Sequence, residues 1–104
     1  MKHITRQIVA DIINSRPTAN FDTHWVERRV LRLHPVAFAE ELLEFRTAAD
    51  PLMSFSAEFS KWIGRTFTNG INKSTNGKVL SVHLGGEECG NQEWTKLNPG
   101  TPIS

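Results

Sequence analysis

The chain has no tyrosine and a single cysteine, Cys89. One thiol cannot close an internal disulfide, so the fold must stand on its apolar core. A reducing compartment, the cytoplasm, is the expected setting. No apolar run approaches the roughly 18 residues of a membrane helix, and the opening MKHITRQ lacks the apolar stretch of a secretory signal. Neither a signal peptide nor a membrane association is expected. Net charge is scarce as well: 12 Lys and Arg stand against 11 Asp and Glu, a formal charge of +1. That balance argues against a strongly basic nucleic-acid binder. The local balance differs. From Phe59 to Leu80 the chain carries Lys61, Arg65, Lys73 and Lys78 and no acidic residue.

Catalytic and metal signatures are also missing. A structural zinc site needs four ligands, usually in paired spacings. His83, Glu87, Glu88 and Cys89 are ligand types close together, but His3, His24 and His34 are scattered, so no metal and no cofactor is expected. The acidic neighbours of Cys89 disfavour a thiolate nucleophile. The loop Gly85–Asn91 (GGEECGN) lacks the spacing and the lysine of a phosphate cradle. No Ser/His/Asp order matches a nucleophile motif, and the expectation is a protein that is not an enzyme.

What is there is enough for one domain. Of 104 residues, 38% are apolar, which supports a single core over residues 1–97. The tail Asn98–Ser104 (NPGTPIS) is expected to be flexible.

Hydrophobic periodicity predicts four helices. Ile4, Ile8, Val9, Ile12 and Ile13 share one side of a first helix over Ile4–Asn14, which Arg16-Pro17 ends. Asp22 is a good N-cap for a second helix reaching Leu33, and Phe21 and Val26 sit at the positions of a hydrophobic staple. Its other stripe is Trp25, Arg28, Arg29 and Arg32. Pro35 opens a third helix, to residue 46, whose wide apolar arc includes Phe38, Leu42 and Phe45. Glu40, Glu41 and Glu44 read as its solvated face. The fourth helix, Ser54–Thr68, places Phe55, Phe59, Trp62, Ile63 and Phe67 on one arc and Ala57, Ser60, Lys61, Gly64, Arg65 and Thr68 on the other. Ser54 or Ser56 is its expected cap, although Asp50-Pro51 also signals a helical start.

The period then changes. Asn69-Gly70 and Asn76-Gly77 are turn signals. Lys78–Leu84 alternates as a strand does, and Gln92–Leu97 is a plausible return strand after the glycine-rich loop. The expected class is α+β, mainly helical: four helices followed by a C-terminal β-hairpin.

That order resembles the winged helix-turn-helix domains, over residues 4 to 97. The resemblance makes Ser54–Thr68 the recognition helix and Lys78–Leu97 the wing. It implies double-stranded DNA as partner, with the helix in the major groove, and a small transcriptional or phage- or plasmid-type accessory regulator as the function. The chain departs from the pattern in two ways. Residues 22–33 and 35–46 stand where one helix is expected, and Glu87 and Glu88 at the wing tip would repel phosphate.

The DNA reading places Ser60, Lys61 and Arg65 nearest the bases. It gives phosphate contacts to Arg28, Arg29, Arg32, Lys73 and Lys78, with Ser60, Gly64 and Thr68 permitting close approach. A plainer reading makes Lys61 and Arg65 ordinary cations on a solvated face, and makes Trp25 a rim residue covered by arginine stems. The near-neutral charge favours a homodimer, which would double the contacts. The alternative is a protein–protein interaction module without nucleic-acid binding or catalysis. It would use the Trp25/arginine face or the acidic face of Glu40, Glu41 and Glu44.

Overall fold

The computed structural model describes all residues, 1–104. Four helices precede a C-terminal hairpin: α1 (Arg6–Ser15), α2 (Thr23–Leu33), α3 (Pro35–Leu43) and α4 (Pro51–Thr66), then strands β2 (Ile71–Val82) and β3 (Glu88–Lys96). A short strand β1 (Asn20–Asp22) lies between α1 and α2. The fold is α+β, as the periodicity predicts. Helix accounts for 44% of the chain and strand for 23%, so "mainly helical" overstates the helical share.

The hairpin is one part of a three-stranded antiparallel sheet ordered β1-β3-β2. In it Phe21 pairs with Trp94 and Asp22 with Glu93. Three residues are too few to show alternation, which is why β1 carries no strand signal. Burial of Phe21 against Trp94 holds it in place.

Each helix start has a local cause. Thr5 caps α1 by accepting the Ile8 N–H, and Asp22 caps α2 by accepting the Trp25 N–H at 2.8 Å. Asp50 caps α4 through the Met53 N–H at 3.2 Å, and Pro51 occupies the first turn. The helix therefore begins before Ser54, and the Asp-Pro signal outranks the serines.

The core gathers Val9, Ile12 and Ile13 of α1, Val26 and Val30 of α2, Phe38 of α3 and Phe55, Phe59 and Ile63 of α4, closed by Phe21, Phe67, Ile71 and Trp94. Aromatic rings run along α4: Phe55 stacks on Phe59 at 5.3 Å, and Phe59 on Trp62 at 5.8 Å. Each such side chain contributes on the order of 2 kcal/mol by leaving water. Gly64 lies against this core. A Cβ there would sit 2.9 Å from the Trp94 ring, so the glycine is required for helix–sheet packing.

Asn76-Gly77 does not reverse the chain. It lies in a bulge within β2, where Lys73 pairs with Trp94 and Lys78 with Gln92, leaving Ser74–Gly77 opposite Glu93 alone. The Glu93 carboxylate organises the bulge by accepting from Ser74 Oγ at 2.7 Å and Asn76 Nδ2 at 2.8 Å. Gly77 supplies the positive φ of 65°. The reversal comes later, at His83–Glu87, where Gly86 has φ 91°.

The acidic face of α3 differs from expectation. Glu41 is buried at 2% exposure, and its Oε1 accepts the backbone N–H groups of His3 and Ile4. Burial alone would raise its pKa. The donors Ile4, His3 and Lys2 outweigh that and hold it below the ordinary value. Glu40 meets His3 at 2.9 Å and Glu44 meets Lys2 at 3.0 Å. The tail Asn98–Ser104 lies along α1, where Asn14 exchanges two hydrogen bonds with the Ile103 backbone and Arg6 holds the Ser104 carbonyl.

Candidate anion-binding groove

A groove of about 750 Å³ runs between α4 and the hairpin. One wall is the outer stripe of α4: Met53, Ala57, Lys61, Arg65 and the following Thr68, about one helical turn apart and all exposed. The other wall is Asn72, Lys73 and Lys78 of β2 with Cys89 to Gln92 of β3. Thr23, His24 and Trp94 form the floor. The floor is rigid. The Trp94 indole N–H donates to Thr23 Oγ1 at 3.1 Å, and that hydroxyl also meets Ser60 Oγ at 3.1 Å.

Four cations, Lys61, Arg65, Lys73 and Lys78, line this space, and no acidic residue does. Glu93 is turned away from it and committed to the bulge. Lys61 lies 3.5 Å from Glu58 along the exposed side of α4. Such a surface pair contributes little and would not hold the lysine against an anion. The bulge matters here: it interrupts the ladder between Lys73 and Lys78 yet leaves both facing the groove. Arg65 lies in the last turn of α4, where the helix dipole favours a cation.

Of the residues the sequence singled out, Ser60, Lys61, Arg65, Thr68, Lys73 and Lys78 all come to this one groove. Ser60 is half-buried against Thr23, so its hydroxyl belongs to the floor. Arg28, Arg29 and Arg32 do not line it. The Arg28 guanidinium donates to the Val82 carbonyl at 2.8 Å and ties α2 to the end of β2. The Arg29 Nε is buried without a partner, and Arg32 is exposed. The arginine stacked on the Trp25 indole is Arg16, 4.7 Å from the ring centroid, and not a member of that stripe.

Sequence reasoning missed His24, Asn91 and Glu27. His24 is 2% exposed; its backbone N–H donates to Asn91 Oδ1, and Nδ1 meets Ser81 Oγ at 2.7 Å. Burial lowers its pKa, with His83 and Arg28 acting in the same direction and Asp22 and Ser81 against it. Glu27, also sealed from solvent, has one carboxylate oxygen without any partner. Burial pushes it up to about 7, against the pull of the Ser56 hydroxyl and Arg28. Both residues sit on a helix whose apolar stripe predicts core at Val26 and Val30. Nothing local marks the histidine before that stripe, or the glutamate within it, as buried.

Comparison with models of known families, with curated proteins and with solved structures finds no match to this chain. The groove must be read from its own chemistry. No helix is long and apolar enough to cross a membrane, and no three His, Cys, Asp or Glu side chains are grouped to hold a metal ion.

Proposed function

We propose that this protein binds double-stranded DNA through the groove, as a small cytoplasmic regulator of the winged-helix type. One observation carries the reading. Cations from two separate elements, α4 and β2, face one concavity from which acidic groups are absent. Lys61, Arg65, Lys73 and Lys78 neutralise backbone phosphates, and the release of counterions drives association. The two ring-bearing residues of the floor, Trp94 and His24, are buried. They offer no face on which unstacked bases could lie, which favours a duplex backbone over a single strand. The helices-then-hairpin order supports the same reading by resemblance. Affinity of one copy is modest, and a homodimer would double it on the free-energy scale.

The test is titration of a labelled mixed-sequence duplex at two salt concentrations. Four neutralised phosphates give a slope of log K against log salt of roughly −3.5. Lys61→Glu with Arg65→Glu should abolish binding while the thermal transition stays in place. Absence of binding at low salt overturns the reading.

A second reading, a protein-interaction module, rests on other residues than the sequence suggested. The acidic face of α3 is engaged by the chain's own Lys2, His3 and Ile4, and Trp25 is covered by Arg16. The exposed apolar side chains Leu31, Leu33, Val36 and Leu43 of α2 and α3 are the surface that favours it.

A further inference from the structure

At the end of the groove the only thiol of the chain meets the buried imidazole of its floor. Cys89 Sγ lies 3.7 Å from His24 Nε2, and both residues line the groove. The two are 65 positions apart in sequence. The imidazole is fixed from its other side. Asn91 Oδ1 holds the His24 backbone, Asn91 Nδ2 donates to Ser81 Oγ at 2.9 Å, and Ser81 Oγ meets His24 Nδ1. In the tautomer whose Nδ1–H donates to Ser81, Nε2 faces the thiol as a free acceptor. This is the geometry by which a histidine takes a proton from a cysteine as it attacks.

We propose that Cys89 and His24 form a thiol-exchange site that accepts a small anionic disulfide through the groove. His24 Nε2 takes the Cys89 proton as the sulfur attacks one sulfur of the disulfide. The Cys89–S bond forms, the original S–S bond breaks, and the leaving thiolate takes the proton from His24. The products are a protein mixed disulfide and one free thiol. Lys78, on the same wall of the groove, favours an anionic reagent over a cationic one.

The acidic neighbours named by the sequence are placed differently from what adjacency suggests. Cys89 is paired with Ser81 in the ladder and shares its inward face; Glu88 alternates to the outer face and is exposed, as is Glu87. The other charged or titratable groups around the pair are Asp22 at the cap of α2, Arg28 one turn along α2, and His83 beyond β2, its ring 6.2 Å from that of His24. Asp22 and the Ser81 bond stabilise the imidazolium that forms during transfer, and Arg28 and His83 oppose it.

A single cysteine makes the test specific, because every labelled molecule reports Cys89. Second-order rates are measured between pH 6 and 9 with 5,5′-dithiobis(2-nitrobenzoate), which is anionic, and with cystamine, which is cationic. In the native protein the anionic reagent should react roughly tenfold or more faster than cystamine, both relative to the unfolded chain. Lys78→Glu, an exposed change that spares folding, should reverse that preference. His24→Gln should lower the rate near pH 7 by about a hundredfold and move the pH profile to that of the unfolded chain, with Ser81→Ala between. A native rate no higher than that of the unfolded chain, or a charge preference that Lys78→Glu leaves unchanged, overturns the proposal. These rates are independent of DNA binding, so either result leaves the duplex reading to its own test.

Discussion

The groove and the α3 face use charge in opposite ways. On the α3 face, acids and cations are spent on each other and on the backbone: Glu41 holds the His3 and Ile4 amides, Glu44 holds Lys2 and Glu40 holds His3. In the groove, Arg65, Lys73 and Lys78 make no ion pair, and Lys61 has only its weak contact with Glu58. Acids elsewhere are also committed. Asp22 and Asp50 cap helices, Glu93 ties the bulge, and Glu27 is sealed in the interior. Glu87 and Glu88 at the hairpin tip are exposed and make no ion pair. A net charge of +1 therefore conceals an uneven surface. The cations facing the groove are available to a ligand, while most acids are already bound within the molecule.

Reversing charge on one side of the molecule has the largest effect. Lys73→Glu with Lys78→Glu should lower duplex affinity by a hundredfold or more at low salt and flatten the salt slope by about 2 units. Lys2→Glu, on the other face, should leave both unchanged in the same titration.

Next in size is Glu27. Its folded pKa of about 7 stands above the unfolded value near 4.5. The folded state thus binds more protons between these values, and stability is full below pH 4.5 and declines as pH rises toward 7. Glu27→Gln removes that loss. It should stabilise the protein by up to about 3 kcal/mol at pH 8 and by almost nothing at pH 4, measured by urea unfolding at both.

Glu41 titrates the other way and sharpens the contrast between the two buried carboxylates. Its folded pKa is depressed, so its contribution is present above the unfolded value and disappears as pH falls through the folded one. Glu41→Gln should cost about 1–2 kcal/mol at pH 7, with the gap from wild type narrowing as pH falls below the unfolded value near 4.5 and through the depressed folded one. The same unfolding series reads it.

The sequence was most legible where a signal is local. Asp22 as a cap, the burial of both Phe21 and Val26 expected of a staple, Pro35 at a helix start and an extended segment within Lys78–Leu84 each involve neighbours along the chain. The alternation in that segment misleads about its face: Leu80 and Val82, the apolar side of the pattern, are exposed, and Val79 and Ser81 turn inward. The groove cations were legible for the same reason, as an acid-free stretch on one helix and one strand. What stayed hidden depends on distant partners. Asn76-Gly77 looks like a reversal until Glu93 is seen holding it as a bulge. Glu41 looks solvated until the N-terminal amides arrive 37 and 38 positions away. His24 and Cys89 meet only because β3 folds back beneath α2. Arg28, Arg29 and Arg32 follow the helical period faithfully, but period alone does not say which side of α2 the hairpin will occupy.

The strand order governs how the molecule can assemble. β3 is the middle strand, and its partners β1 and β2 do not pair with each other. Thr95 finds Asn20 across 75 positions of chain. Contacts so distant form late, after local helices have closed. Neither outer strand can pair until nearly the whole chain is present, and then both pair with the same segment. The last strand of the chain thus closes the sheet on both sides at once, and supplies with β2 the wall that faces the cation-bearing helix.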